Sequence, residues 1–479
     1  MLPYFVKTEE RLPDVSVIYL TDKDSDLSGY SFTTTELEYV NDQRKNNKRN
    51  IRVNSYFKWS YLIIPDENLS EHEMLEDIRM QASALYPILK ENGHQEVLVV
   101  DTLSQPSLLK ALLEGLALSH YQFLRHKSKN EDTSHQLTKI QVFSDKVGEK
   151  TLEEWQVVVE AVYRARDLVN EPLSSLNAVQ LAEAFQKMAK EAGFSIEVFN
   201  KKKIEALRMH GLLAVNKGSV DPPSFSVMEW NPPDAKNSQP IVLVGKGVVY
   251  DTGGISLKPS SSMGDMKSDM AGAATVAAIL YAAAKNKLPV HLIALVPATD
   301  NRPGGNAYTP GDIISMHDET TVEVVNTDAE GRMILADALS FARQFDPELV
   351  LDFATLTGSA SVAIGPQGIV TMGTADETVF DQLHRCGMNT YERLVRLPLW
   401  KEYKEMIQSD VADLKNAGGR EAGAITAGKF LEHFTRYPWI HFDIAPTAFL
   451  EKRDGYRGKG GTGLGVRLLC DFLNQYTAK

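Results

Sequence analysis

Any fold that this chain adopts has to accommodate two short, charge-dense segments that follow apolar runs. One is Gly245-Lys-Gly-Val-Val-Tyr-Asp251-Thr-Gly-Gly-Ile-Ser-Leu-Lys258, followed shortly by Met266-Lys-Ser-Asp269; the other is Asn326-Thr-Asp-Ala-Glu-Gly-Arg332. Together they offer Asp251, Asp269, Asp328 and Glu330 as acids, with Lys246, Lys258 and Arg332 as bases. Two carboxylates about 4 Å apart repel by roughly 4 kcal/mol at an effective dielectric of about 20. Four can share a cleft only if positive charge cancels them. Oxygen donors beside glycine turns suit hard divalent cations. Two such ions would balance four acids and leave Lys258 and Arg332 free to meet developing negative charge, which is the arithmetic of a two-metal hydrolase.

The rest of the chain alternates strand-like and helix-like segments. Residues 15–20, 60–64, 96–100 and 140–143 are short and β-rich, and 71–89 and 106–125 carry apolar residues at helical spacing. The polar stretch 39–52 reads as a solvated loop. Residues 240–249, 290–296 and 349–354 read as buried strands, separated by helices over 271–285 and 331–344. The pattern predicts an α/β protein in two parts. A smaller N-terminal α/β domain spans 1–150, a linking helix 151–170, and a larger catalytic α/β domain, with a mixed central sheet flanked by helices, 171–479. Both charged segments then fall at strand ends, where open α/β sheets bind ligands.

Charge and composition exclude several classes. A net charge of −12 argues against general nucleic-acid binding, which needs a basic surface. No apolar run approaches the length that spans a bilayer. Two cysteines, Cys386 and Cys470, do not make a disulfide framework, and a reducing compartment fits. The opening residues meet Glu9, Glu10 and Arg11 before any signal-peptide core develops, so the expected location is cytoplasmic. Gly245-Lys-Gly lacks the third glycine of a dinucleotide fingerprint, and His72-Glu-Met-Leu-Glu76 lacks the second histidine of a zinc-protease helix.

Taken singly, each charged residue has an ordinary alternative. Lys246 would pair with a neighbouring acid, Asp251 would cap its own turn, Asp269 would cap a helix, and Met266 would fill core. In combination they resemble the leucine aminopeptidase (cytosol aminopeptidase) family of two-metal exopeptidases. The family signature NTDAEGR stands complete at 326–332, and the spacings among Lys246, Asp251, Lys258 and Asp269 match. So do Val169-Asn-Glu-Pro172, Ala354-Thr-Leu-Thr-Gly358, Ala422-Gly-Ala-Ile-Thr-Ala-Gly428 and Asp443-Ile-Ala445, so that the resemblance covers roughly 160–479.

The resemblance implies a metal-dependent enzyme that removes the N-terminal residue, leucine or another apolar one, from a peptide with a free N-terminus. One ion would be held by Lys246 (as a neutral amine), Asp251, Asp269 and Glu330, the second by Asp251, Asp328 and Glu330. Zn²⁺ is expected, with Mn²⁺ or Mg²⁺ admissible at the all-oxygen site. A metal-bridging hydroxide would be the nucleophile, Lys258 would stabilise the oxyanion, and Arg332 would hold a bicarbonate ion. Met266, Thr355, Gly358, Ala445 and Ala448 would form the substrate pocket, with the Leu356 carbonyl meeting the substrate amine. Relatives form hexamers, which implies a homohexamer here. Three other readings stand beside this one: a narrow dipeptidase such as a Cys-Gly hydrolase; a DNA-binding accessory protein, against which the acidic balance speaks; and a catalytically dead structural paralogue, against which the presence of all five implied metal ligands speaks.

Overall fold

The computed structural model describes residues 2–10, 14–128 and 137–478. The first part runs β1 (Tyr4–Lys7), β2 (Ser16–Leu20), α1 (Thr34–Lys45), β3 (Asn50–Ser55), β4 (Lys58–Ile63), α2 (Glu71–Glu91), β5 (Glu96–Asp101), α3 (Pro106–Ser119), β6 (Lys139–Phe143) and α4 (Glu149–Asn170). Then follow α5 (Ala178–Ala192), β7 (Ser195–Phe199), α6 (Lys201–Ala206), α7 (His210–Asn216), β8 (Ser224–Trp230), β9 (Ile241–Gly245), β10 (Gly247–Asp251), α8 (Ala271–Lys285), β11 (Leu292–Asn301), β12 (Ile313–Ser315) and β13 (Thr321–Glu323). The last part holds α9 (Glu330–Ala342), β14 (Leu349–Ala354), α10 (Gly358–Ile364), β15 (Ile369–Gly373), α11 (Glu377–Thr390), β16 (Leu394–Arg396), β17 (Leu414–Lys415), α12 (Gly423–His433), β18 (Trp439–Asp443), β19 (Phe449–Asp454), β20 (Gly458–Gly461) and α13 (Val466–Ala478). Two compact units divide within α4, between Tyr163 and Arg164, and the short segments Asn389–Tyr391 and Lys452–Gly458 belong to the first.

The first unit is built on a six-stranded sheet of order β1-β6-β5-β2-β4-β3, parallel except at the β3–β4 edge. The stretch 39–52 corrects the loop expected from its polarity. Thr33 and Glu36 form a capping box that starts α1, and only Val40 and Arg44 of that helix are buried. The Arg44 guanidinium donates from Nη1 to the Ser25 carbonyl at 3.0 Å and from Nη2 to Thr21 Oγ1 at 3.1 Å. β3 alternates, with Ile51 and Val53 inward. The polar residues therefore belong to the solvent faces of a one-sided helix and an edge strand, a pattern that composition alone cannot separate from a loop.

The second unit carries a nine-stranded mixed sheet of order β16-β15-β18-β14-β9-β11-β8-β7, with β10 paired to β11. Its centre, β18-β14-β9-β11, is parallel, and antiparallel pairs flank it on both sides. The central strands are buried on both faces, which explains their continuous apolar runs. The single strand expected over 240–249 is broken at Lys246. There the backbone N–H donates to the Phe353 carbonyl at 3.0 Å and the carbonyl accepts from Ala273 N at 3.0 Å, so residue 246 bonds to β14 and α8. Close approach makes this feasible: a Cβ on Gly272 would lie 1.9 Å from the Phe353 carbonyl oxygen. α8 is thus pressed by its small residues onto the end of β14, and Asp269 just before it arrives beside Lys246.

Candidate active site

The C-terminal ends of the parallel strands converge on one cavity of about 390 Å³. β9 ends in Gly245, so Lys246 projects from the strand end; β10 ends in Asp251; β14 leads into Thr355 and Leu356; β18 leads into Ala445 and Ala448. α9 begins with Glu330, which sets its carboxylate in the first helical turn, where the macrodipole favours negative charge. Lys246, Asp251, Lys258, Asp269, Asp328, Glu330 and Arg332 all line this cavity, as do Met266, Thr355, Leu356, Gly358, Ala445 and Ala448. All thirteen residues singled out in the sequence are therefore brought together.

The charges interlock as two ammonium groups, each between carboxylates. Lys246 Nζ lies 2.7 Å from Asp269 Oδ1 and Oδ2 and 2.9 Å from Glu330 Oε1, and donates to the Thr355 carbonyl at 3.0 Å. Lys258 Nζ lies 2.7 Å from Asp251 Oδ2 and 2.6 Å from Asp328 Oδ1. The two lysines differ in access: the Lys246 side chain is 3% exposed and that of Lys258 is 17% exposed. Of the two lysines, Lys258 is the one more open to a molecule in the cavity.

Proton affinities follow from burial and charge together. Burial disfavours both ammonium ions, yet Asp269 and Glu330 around Lys246, and Asp251 and Glu330 around Lys258, outweigh it and raise both lysines above their ordinary range. Burial and the repulsion of Glu330 push Asp251 up to about 6 against the pull of the lysines. Burial likewise raises Asp269 and Asp328. Glu330 goes the other way, because Lys246 and Lys258 overcome its burial and hold it low. Burial draws Arg332 down to about 10, so it stays cationic near neutral pH.

The donor set fits divalent cations. Asp251, Asp328 and Glu330 present oxygen atoms that all lie within 4.8 Å of one another. Lys246 and Asp269 add a nitrogen and an oxygen on the adjoining wall. Hard oxygen donors with one amine suit Zn²⁺, Mn²⁺ or Mg²⁺. Lys246 would have to surrender its proton to serve, at about 5 kcal/mol from its reference pKa and more while Asp269 and Glu330 stand un-neutralised beside it; a divalent ion, whose binding is worth roughly 10 kcal/mol or more, would neutralise those acids as it displaces the proton.

Several residues that shape the site carry no local signal in the sequence. Asn301, at the end of β11, donates from Nδ2 to Asp251 Oδ1 at 2.9 Å and to the Thr327 carbonyl at 3.0 Å. Asn416 accepts Arg332 Nη1 on its carbonyl at 2.7 Å, and its side chain bonds Val325 N, Asn326 N and the Asn326 carbonyl. Arg332 Nε is buried without a partner among the described residues. Asp443 accepts from Leu356 N, Ala445 N and Thr357 Oγ1, at 3.1, 3.2 and 2.7 Å, and so shapes the loop that carries Thr355 to Gly358. Asp443 stands inside a stretch matched to the family, so the resemblance pointed at its position though not at its task. Asp269 does not cap α8, whose N-cap is Met270; its carboxylate is spent on Lys246 and on Thr355 Oγ1, the latter at 2.8 Å.

Residues 163–470 match the model of the cytosol aminopeptidase family, catalytic domain. A probable cytosol aminopeptidase of Chlorobium phaeobacteroides is 44% identical over 382 residues, covering 77% of this chain and 75% of its own length. One from Chlorobaculum parvum is 52% identical over 316 residues, covering 65% of this chain and 62% of its own. This chain therefore spans less than two thirds of that second relative. Among solved structures, the bottromycin maturation enzyme BotP in complex with Mn superposes with a TM-score of 0.84 at 28% identity, covering 96% of this chain and 99% of that one. The match of residues 163–470 to that catalytic domain, on a mixed α/β fold with this acid and lysine cluster over its strand ends, makes the chain a peptide hydrolase of the exopeptidase class. The chain belongs to the cytosol aminopeptidase family.

Proposed function

We propose that this chain is a two-metal aminopeptidase that removes an apolar N-terminal residue, leucine foremost, from peptides. One observation carries the reading: the three carboxylates whose oxygens lie within 4.8 Å of one another share a cavity wall with two lysines and an arginine. Lys246, Asp251, Asp269 and Glu330 would hold one ion, and Asp251, Asp328 and Glu330 the other. When bound, the ions would supply Lewis acidity and the means of drawing a nucleophile from water near neutral pH. Zn²⁺ is assigned to the amine-containing site and Mn²⁺ or Mg²⁺ to the other.

The chain's own residues do the rest. A substrate's free α-amine docks against Asp269 and the Leu356 carbonyl, both acceptors, and an acylated amine loses both the charge and the hydrogens for that contact. Lys258, the more exposed of the two lysines, donates to the scissile carbonyl oxygen as it gains charge. Arg332, anchored by Asn416, offers its uncommitted Nε–H and would hold a bicarbonate ion in planar contact. Met266, Thr355, Gly358, Ala445 and Ala448 receive the first side chain, and the small Ala448 leaves room for a bulky one. The family resemblance supports the further readings of a cytoplasmic location, a homohexamer and a catalytic domain at 171–479. No helix among the described residues is long and apolar enough to cross a membrane.

The test is release of free leucine from a Leu-dipeptide and from its N-acetylated twin, using metal-stripped protein with Zn²⁺ or Mn²⁺ added back. Hydrolysis of the free-amine peptide alone, and only with metal, is expected. Equal cleavage of both peptides, or no release under any metal, would overturn the leucine aminopeptidase reading.

A further inference from the structure

The amide of Asn301 holds the acids of this site without being one of them. β10 and β11 pair in parallel, and a shift of register after Val248 brings Asp251 opposite Asn301. From that position Nδ2 donates to Asp251 Oδ1 at 2.9 Å and to the Thr327 carbonyl at 3.0 Å, and stands 3.5 Å from Glu330 Oε2. The reverse orientation would set a carbonyl oxygen against three oxygens, so the network fixes which end of the amide is which. The residue is fully buried, and its backbone is pinned in turn, with its carbonyl accepting from Thr252 N at 3.0 Å and Thr252 Oγ1 at 2.8 Å. Gly253 N also donates to Asp251 Oδ1, at 2.8 Å. Two donors thus occupy one oxygen of Asp251 and leave Oδ2 as the one turned toward Lys258.

We infer that Asn301 is a positioning residue for the acid cluster, turning the carboxylates of Asp251 and Glu330 so that the cluster takes up divalent cations. This rests on the two-metal reading above. A neutral donor is what the place requires, since a lysine would compete with a bound ion and a carboxylate would repel Asp251 and Glu330. Tyr308 provides an internal control. Its hydroxyl donates to the same Thr327 carbonyl, at 2.8 Å, and feels the charge of Glu330 and Asp251 without donating to either among the described residues, so it anchors the loop before Asp328 without orienting the carboxylates.

The experiment is a calorimetric titration of the metal-stripped full chain with Mn²⁺ for wild type, Asn301→Asp, Asn301→Ala and Tyr308→Phe. Asn301→Asp keeps the shape, removes the donor and adds a fifth carboxylate. If net charge governed the site it would bind Mn²⁺ more tightly; the positioning role predicts binding about tenfold to a hundredfold weaker, the range typical of groups that orient metal ligands. Asn301→Ala should weaken binding in the same direction, and Tyr308→Phe should stay within about threefold of wild type. At saturating Mn²⁺ the Asn301 variants should lose kcat with KM changed less. Wild-type affinity in both Asn301 variants, tighter binding in Asn301→Asp, or an equal loss in Tyr308→Phe would overturn the inference. No Mn²⁺ or Zn²⁺ uptake by wild type would instead bring down the two-metal reading itself.

Discussion

At the scale of single residues, the two lysines show how similar side chains divide their labour by depth. Lys246 is enclosed by Asp269, Glu330 and the Thr355 carbonyl, and nothing in the cavity reaches it before them. Lys258 bridges Asp251 and Asp328 from the cavity side. If Lys258 is the electrophile, Lys258→Met should lower kcat by about a hundredfold to a thousandfold, the usual loss on removing one donor to a developing oxyanion. KM should move little, because the interaction strengthens in the transition state. The measurement is steady-state hydrolysis of a Leu-peptide at saturating metal, with metal content checked, since Lys258 also neutralises two of the acids. A tenfold rise in KM at unchanged kcat would place Lys258 in ground-state binding instead.

At the scale of elements, the site depends on helices brought unusually close to strand ends. Gly331 lies in the first turn of α9, where a Cβ would sit 2.4 Å from Lys246 Cε and 2.8 Å from its Nζ. Gly331→Ala should improve the helix by up to about 1 kcal/mol on propensity alone. It should nevertheless lower kcat/KM at least about tenfold, because Lys246 is held by three partners and has nowhere to retreat. A cooperative melt beside lost activity would show the effect to be local; unchanged activity would mean that Lys246 moves freely. The same scale explains what the sequence allowed to be read. The apolar runs of β9, β14 and α8 were legible because burial on all sides makes them continuous, although the single strand expected over 240–249 is two strands that part at Lys246. So was the gathering of Lys246, Asp251, Asp328 and Glu330, which lie at or just beyond the ends of such elements. α1 and β3 were hidden because one-sided polar elements look like loops. Asn301 was hidden because its importance arises from a strand register, Asp251 opposite Asn301, that no local spacing encodes.

At the scale of the whole molecule, α9 is a charged element inside a core, and its stability should carry the mark of pH. All its residues are buried, among them Asp337, which accepts from Leu212 N at 2.9 Å and His317 N at 3.0 Å and so ties α7 and the β12–β13 hairpin to the helix that bears Glu330 and Arg332. Burial pushes Asp337 up to about 7 against these hydrogen bonds, from an ordinary value of 3.8. Between those two values the folded chain keeps a proton that the unfolded chain has released. The native state binds more protons there, so stability falls as pH rises through the window, by an amount on the order of 4 kcal/mol in all, and stops falling once both states are ionised. Asp251, raised to about 6, acts in the same direction in metal-stripped protein. The two are separable. Mn²⁺ favours ionised Asp251 and should recover that share, so the metal-induced rise in Tm should be larger at pH 8 than at pH 5. It leaves Asp337 untouched. Asp337→Asn mimics the protonated carboxyl, and its Tm should change less than wild type's between pH 4 and pH 7 with or without Mn²⁺. Thermal melts of both proteins across that range decide the matter: parallel pH curves for wild type and Asp337→Asn would mean that Asp337 is ionised in the native state and that the helix tolerates a buried charge.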